Sequence, residues 1–586
     1  MKRGKLFVAL LVANFGILFS QKTLKVNLID NTTGEALIGA MVINLENNKV
    51  YPTNTYGFAL IPTSDKRDSL TLRVSYVGYA DSTIRVAKSD SLVTIAMTPK
   101  PTQIEDVYVQ GYNKIPHHGQ LQLTASQLNQ VPVIFAERDV LKSIQMLPGV
   151  QQNREGTSNF SVRGGNFDQN LILLDGIPVY NINHLFGFVS VISTDAVNHA
   201  SFYKGAIPAR YGNRLSSVLD ISLREGNKDH LTGSFGAGIL SAKITVEGPL
   251  RNHQGSFLIA ARRTPYDLIV APISTLFGNR IGYYYQDLVA KINFPLNNHN
   301  SLYLSTYYGA DKAYRAEFSF IPQSLYKFRT AWGNITTALR WANNSLPNTL
   351  SNLIFAFTRY RYIKDTRAYD KAILGKQIES LSYTSNINDI IIRWNIAYAI
   401  SPSHQINTGI DNNFHVFNPG TNYAKNQDTT SSFGQYFYHN ETNAFIEDVV
   451  QWPRITTTVG VRATYYQLKS KAFYALQPRM LFSLKVSNKT TLSASYNRMY
   501  QFLHLYANSN IGLPTDLWVP VMQNLPPSSS NQYSAGFKST LDKITFSSEV
   551  FFKDMQNVTD YRDGVILNNT QTNWDEVLSV GKGVAY

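Results

Sequence analysis

From about Leu231 to the end, the chain is a succession of segments whose side chains alternate with a period of two, and no other feature constrains the fold as much. Ile455, Thr457, Val459, Val461 and Ala463 alternate with Thr456, Thr458, Gly460, Arg462 and Thr464. Ile390, Ile392, Trp394, Ile396, Tyr398 and Ile400 lie opposite Ile391, Arg393, Asn395, Ala397 and Ala399. Ile544, Phe546, Ser548, Val550 and Phe552 lie opposite Thr545, Ser547, Glu549 and Phe551. Successive strand residues point to opposite faces, so each segment of roughly ten residues offers one apolar and one largely polar face. A barrel in lipid fits this pattern, and so does a soluble sandwich. Connector lengths favour the barrel. Short turns at Asn297 to Asn300, Ser401 to His404 and Val486 to Thr490 alternate with longer loops such as Asn418 to Phe433, the outer-membrane arrangement.

Composition agrees, with 35 Tyr and 31 Phe against 16% charged residues, as aromatic girdles at two membrane interfaces require. The net charge is +14, but Lys and Arg never form a compact block, so nucleic acid is not an expected partner. Outer-membrane lipid headgroups or an anionic cargo fit the charge better, the plain alternative being a merely basic surface. Cysteine is absent, which removes disulfides, thiolate nucleophiles and a lipid-anchoring Cys. At the start, Lys2, Arg3 and Lys5 precede an apolar run from Leu6 to Phe19 and a small residue, Ser20. That pattern predicts a signal peptide over 1–20, since the run is shorter than the roughly 20 residues of a membrane helix.

Residues 22–98 read as short strands at Leu24 to Ile29, Ala40 to Leu45, Phe58 to Ile61, Leu70 to Tyr76 and Val93 to Met97, divided by turn residues. Thr33-Gly34-Glu35, Gly39-Ala40 and Ser75-Tyr76-Val77-Gly78-Tyr79 give this stretch a resemblance to carboxypeptidase-regulatory-like domains, which implies an Ig-like β-sandwich. Peptidase chemistry does not come with it. None of the 11 His has Glu three residues later and no HExxH occurs, so no zinc site, other cofactor or catalytic residue is expected.

Residues 99–113 form a Pro-flanked linker containing Glu105, Asp106, Val107, Tyr108 and Val109. An extended alternating segment of this kind is suited to adding a strand to a partner's sheet. In position and pattern it resembles the box by which a TonB-type energy-transducing protein grasps a receptor from the periplasm; it also reads simply as the first strand of the next domain.

Over 114–226, Val140, Leu141, Ile144 and Leu147 recur at helical spacing and stop at Pro148-Gly149. Phe160-Ser161-Val162 runs into Arg163, Gly164 and Gly165. Leu171 to Leu174 is an apolar strand broken by Asp175 and Gly176, which predict a tight turn. Ser201 to Gly205, then Tyr211-Gly212, lead to an alternating Val218 to Leu223. In order and spacing these motifs resemble the plug of TonB-dependent receptors. The resemblance implies a small α/β domain lodged in the lumen of a 22-stranded barrel, with Arg163 facing charged contacts on the wall. Shaping the turn and keeping the plug soluble are the plain readings of Asp175 and Arg163.

The expected fold is mainly β: a sandwich, a plug and an antiparallel transmembrane barrel over 227–586, with about 16 of the 22 strands present and the last beginning near Ser579. The family resemblance implies TonB-dependent import of a small nutrient, such as a ferric chelate, vitamin, oligosaccharide or peptide. A passive pore or an adhesin is the alternative. Gly233, Gly236 and Gly238 lie in an alternating segment and read as barrel packing rather than a nucleotide loop. Tyr283 to Tyr285 read as an aromatic loop suited to stacking on sugar rings, and the basic loops suit ferric chelates or other anions, while a headgroup interface is an equally ordinary place for both.

Overall fold

The computed structural model describes residues 23–586 apart from 64–68, 88–89, 101–118, 129–137, 154–156, 239, 251–254, 320–323, 371–375, 427–428, 507–516, 542–543 and 563–577. The expected signal peptide and the segment Glu105 to Val109 lie outside the described residues.

Seven strands build the N-terminal domain: β1 (Thr23–Asp30), β2 (Met41–Asn44), β3 (Lys49–Pro52), β4 (Phe58–Pro62), β5 (Ser69–Ser75), β6 (Ser82–Ala87) and β7 (Leu92–Met97). They form two sheets, β4-β1-β7 and β3-β2-β5-β6. Leu24, Val26, Leu28, Val42, Ile61, Leu72 and Val74 fill the space between them. Each such buried side chain contributes about 1.5–3 kcal/mol. Strands β3 and β6 were not among the expected segments. They are the two edges of their sheet, and edges carry polar residues such as Lys49, Arg85 and Ser82 that blur the alternation.

The plug follows with β8 (Gln120–Thr124), α1 (Ala125–Leu128), α2 (Val140–Gln145), β9 (Val150–Gln152), β10 (Phe160–Val162), β11 (Asn170–Leu174), β12 (Ile177–Pro178), β13 (Asn183–His184), β14 (Val189–Ser190), β15 (Val197–Tyr203) and β16 (Ser217–Leu223). Its central sheet runs β12-β11-β16-β15-β8. Helix α2 starts where Asp139 accepts hydrogen bonds from the backbone of Leu141 (2.8 Å) and Lys142 (3.3 Å), and it packs Val140, Leu141 and Ile144 into the core.

The barrel wall is one antiparallel sheet of seventeen strands with a single added hairpin. Its strands are β17 (Thr232–Ala237), β18 (Ala242–Pro249), β19 (Ser256–Arg263), β20 (Asn279–Asn297), β21 (Asn300–Ser319), β22 (Ser324–Asn343), β23 (Thr349–Asp370), β24 (Lys376–Ser401), β25 (His404–Lys425), β26 (Thr430–Gly434), β27 (Phe437–Gln451), β28 (Ile455–Gln467), β29 (Ala472–Lys485) and β30 (Thr490–Gln501), then β33 to β35. Helix α3 (Tyr266–Leu276) joins β19 to β20. A separate hairpin, β31 (Leu503–Tyr506) and β32 (Leu517–Pro520), precedes β33 (Ser528–Leu541), β34 (Ile544–Tyr561) and β35 (Leu578–Ala585).

Two expectations need correction. Strands β20 to β25 run to between 19 and 26 residues rather than about ten, because they continue pairing beyond the apolar belt. The expected loop Asn418 to Phe433 is largely the paired end of β25 and β26, and Tyr283 to Tyr285 lie inside β20. Above the belt no lipid enforces alternation, so a paired strand there reads as a polar loop. The expected facing holds within the belt: Ile390, Ile392 and Trp394, and Ile544, Phe546 and Val550, are exposed on the outer wall.

Candidate functional site

The plug is fastened to the inner wall by buried charges. At the turn between β11 and β12, Asp175 and Gly176 both take positive φ, 47° and 80°, the conformation of a two-residue hairpin turn. The Asp175 carboxylate accepts from the Leu223 backbone N–H (2.9 Å) and pairs with Lys291 of β20 (3.1 Å). Arg340 donates to the Asp175 carbonyl (2.6 Å), and Arg393 to that of Gly176 (2.9 Å). Turn geometry and wall attachment therefore coincide at two residues.

Arg163, also at positive φ (48°), is buried against β34, where it pairs with Glu549 and lies 5.2 Å from the Phe551 ring. Lys204 reaches the same carboxylate at 3.2 Å. Gly164 (φ 67°) and Gly165 carry the chain past the wall: a Cβ on Gly165 would fall 1.8 Å from Ser216 Oγ and one on Gly164 2.5 Å from Ala585 Cβ. The sequence-predicted plug residues thus form two separate fastenings, on opposite stretches of the wall.

Sequence reasoning missed a third. His184, near the plug apex, bridges Asp311 of β21 through Nδ1 (2.5 Å) and Asp287 of β20 through Nε2 (2.7 Å). Arg262 clamps Asp287 at 2.6 Å and donates to the Ser190 carbonyl at 2.7 Å, while Tyr285 stacks on the imidazole at 4.6 Å. Burial opposes protonation of His184, but the two carboxylates prevail and raise its pKa to about 9. The partners lie more than a hundred residues away in sequence, so no local motif could reveal them. The available signal was a carboxylate at an inward position of an alternating strand, as at Asp287.

The loop Ile207 to Arg214 is sewn to β27 to β30. The Ala209 N–H donates to Glu447 (2.7 Å), Asn213 donates to Glu441 (2.6 Å), and Arg479 donates to the Pro208 carbonyl (2.6 Å). Plug and wall line a cavity of about 60 Å³ here, where Arg214, Asp389, His415 and Glu441 stand beside Leu171, Phe417 and Phe502. Above it the β31–β32 hairpin folds inward. Trp518 packs edge-on to Tyr180 (5.5 Å) beneath the Arg214 guanidinium (5.2 Å), and Gln501 donates to Asp168 (3.0 Å). At the apex, Phe186 and Phe188 are 40% and 47% exposed, and Phe186 lies 5.8 Å from the Tyr283 ring and 5.4 Å from that of Trp332.

At the short-turn end the N-terminal sandwich meets both plug and wall. Lys49 Nζ donates to Pro402 O (2.8 Å) and Ser403 Oγ (2.9 Å), and Lys25 Nζ to Asn344 O and to Leu346 O (2.7 Å). Glu35 accepts from the Gly226 N–H at 2.7 Å and lies 3.6 Å from Arg224, itself paired with Glu247 of β18 at 2.7 Å. Gly226 sits at φ 89°, where a Cβ would fall 2.2 Å from Phe257 O, so only glycine fits. Burial raises the Glu35 pKa against the pull of Arg224.

Among the described residues no group of three or more His, Asp and Glu is arranged to hold a metal. The TonB-dependent receptor plug-domain model matches residues 123–217, and the model for TonB-dependent receptor-like β-barrels matches 260–584. No curated protein sequence matches. The fold is similar to those of the siderophore receptor PirA from Pseudomonas aeruginosa (14% identity, TM-score 0.53, 77% of this chain and 77% of that one) and PirA from Acinetobacter baumannii (15%, 0.54, 80% and 75%). The outer membrane transporter YddB from Escherichia coli is a third (10%, 0.54, 76% and 70%). The chain therefore belongs to the TonB-dependent receptors, plugged β-barrels of the outer membrane that import nutrients.

Proposed function

We propose that the cargo is a ferric chelate bearing aromatic rings, taken up by transport without any catalytic step. The observation that carries this reading is the aromatic platform at the plug apex, where the exposed Phe186 stands beside Tyr283 and Trp332. Such faces stack on planar rings, with an offset or edge-on gain of about 0.5–1.5 kcal/mol per pair. The ferric enterobactin receptor PfeA from Pseudomonas aeruginosa, solved in complex with enterobactin, shares the fold at 14% identity (TM-score 0.53, 76% of this chain and 73% of that one).

The outer membrane holds no ATP, so the energy comes through a TonB-type partner. In this reading the partner takes Glu105 to Val109 as an added strand and pulls on the linker. Force along the linker reaches the plug through β8, and the fastenings at Asp175, Arg163 and His184 are what it must loosen. The N-terminal sandwich, an accessory module of the carboxypeptidase-regulatory type, lies across the periplasmic mouth and has to shift for cargo to leave.

Uptake of ferric enterobactin, cobalamin and maltoheptaose by cells carrying the protein or its deletion of Glu105 to Val109 tests both parts. Ferric enterobactin uptake that the deletion abolishes, with the protein still in the outer membrane, supports them. Uptake of maltoheptaose or cobalamin instead would overturn the cargo class and leave the coupling intact. Any uptake that the deletion spares would overturn the coupling segment.

A further inference from the structure

The outer face of β19 to β23 differs from the rest of the wall. Strand register fixes which side chains share that face. Leu288, Ile292, Leu304, Leu339 and Phe355 are exposed and apolar on it, whereas Asp287, Lys291 and Asp311 of the opposite parity are buried against the plug. Following the same parity toward the extracellular end, the pairing brings Leu288, Tyr308, Ile335 and Arg359 into one row and Arg263, Gln286, Ala310, Gly333 and Arg361 into the next. Beyond them lie Lys312 beside Tyr284, Arg329 beside Tyr314, and Arg280, Lys327 and Arg367 in the outermost row.

Eight cations thus share one sector, which begins at the edge of the apolar belt and runs eight residues along the strands. Two carboxylates accompany them, and both are taken: Asp267 by Arg263 (2.8 Å) and Asp365 by Arg329 and by Arg367 (3.7 Å). Among the described residues, Arg280, Arg359 and Arg361 have no ion-pair partner. On the same outer face β24 from Ser380 to Tyr398, and all of β28, β29 and β33, carry no charged residue. The sector is local rather than a consequence of the overall positive charge.

Beside it stands α3, whose first turn is tied to the patch through Asp267 and Arg263. Leu268, Ile269, Ile273, Leu276 and Phe277 of α3 and its C-terminus are 52–84% exposed, an apolar surface continuous in sequence with β19 and β20. A cationic cluster over an apolar surface at the outer edge of a bilayer is complementary to one kind of molecule. Its oxyanions must sit at headgroup level and its acyl chains just beneath. Arginine forks suit phosphate oxygens, and aromatic rings such as Tyr284, Tyr308 and Tyr314 suit the interface between the two layers.

We infer that this sector is a binding site for a phosphorylated, acylated lipid of the outer leaflet. Arg359 and Arg361 hold the phosphates at the edge of the belt, Lys312 stands next above them, Lys327, Arg367 and Arg280 continue the cationic column outward beside α3, and the belt receives the chains. The site is independent of the cargo and of the coupling segment.

The test uses the purified full chain in detergent and native mass spectrometry. The probes are diphosphoryl lipid A, the same lipid stripped of its phosphates, and inorganic phosphate. R359A/R361A and, as a second pair, K327A/R367A are compared with R498A, which removes an outward cation on β30, and heat-modifiable gel mobility certifies folding. Retention of the diphosphoryl lipid, at least about tenfold weaker in either double variant and unchanged in R498A, is the expected result. Equal retention of the dephosphorylated lipid, or retention that neither pair alters, overturns the site. Capture of inorganic phosphate with no preference for the lipid overturns the lipid assignment.

Discussion

Tyr56 of the N-terminal sandwich lies under the guanidinium of Arg340 on the barrel wall, 5.3 Å from the carbon to the ring centroid, and the same Arg340 donates to the plug's Asp175 carbonyl. One side chain of the wall therefore joins all three parts of the molecule. Tyr56 is buried and also touches the Tyr303 ring at 5.6 Å, so the sandwich inserts into the mouth rather than resting on it. Replacing Tyr56 with Ala removes a cation–π contact of about 0.5–2 kcal/mol together with its packing. Limited proteolysis of the linker beyond residue 100 should then proceed several-fold faster while the barrel itself stays heat-modifiable. Unchanged cleavage would mean that Tyr56 does not hold the sandwich in place.

Tethering gives the complementary result. The chain has no Cys, so K49C and S403C introduce the only two thiols, at side chains now 2.9 Å apart. A short bismaleimide joining them should abolish uptake of whichever cargo the uptake panel identifies, leave its binding at the cell surface intact, and have no effect on either single variant. Uptake that survives the tether would show that the exit does not run past the sandwich.

The motifs read from sequence were those made by neighbours in the chain. Asp175-Gly176 announces its turn because both residues tolerate positive φ, and Val140 to Ile144 announce α2 through their spacing. The alternation of β24 and β28 gave their facing because lipid on one side and plug on the other impose it. What stayed hidden depends on residues distant in sequence. The carboxylates that hold the His184 ring lie more than a hundred positions away, the inward fold of Trp518 follows from Tyr180 and Arg214, and the resemblance of Gly34-Glu35 to an accessory domain gave no hint that Glu35 would cap the Gly226 N–H. The basic sector on β19 to β23 needed the register of five strands before its cations came together.

Arg163 and Lys204 share Glu549, which makes their loss unequal when taken singly or together. R163A leaves Glu549 its second cation, so the plug should stay seated with a modest gain in entry of a large antibiotic such as vancomycin. R163A/K204A strands the carboxylate, half-shielded at the wall, and should increase entry well beyond the sum of the single variants. Additive effects would place the fastening elsewhere.

His184 supplies a pH dependence with a definite sign. Its folded pKa of about 9 exceeds the ordinary imidazole value of 6.5, so its contribution is complete below pH 6.5 and disappears as pH rises through about 9. The groups facing it are the carboxylates Asp287 and Asp311 and the Tyr285 ring, and those carboxylates in turn accept from the Arg262 guanidinium and the Tyr307 hydroxyl on Asp287 and from the Tyr283 hydroxyl on Asp311. Deprotonation removes the imidazolium from between two buried carboxylates, while Arg262 stays paired with Asp287. The wild type should therefore lose thermal stability between pH 6.5 and 9 relative to H184Q, which keeps a donor but cannot be charged. At pH 6, H184A should cost on the order of 3–5 kcal/mol, the penalty for breaking a buried pair from one side. Melting curves of the purified barrel across that interval, wild type against H184Q, decide the matter: parallel curves would mean that the imidazole carries no charge between Asp287 and Asp311.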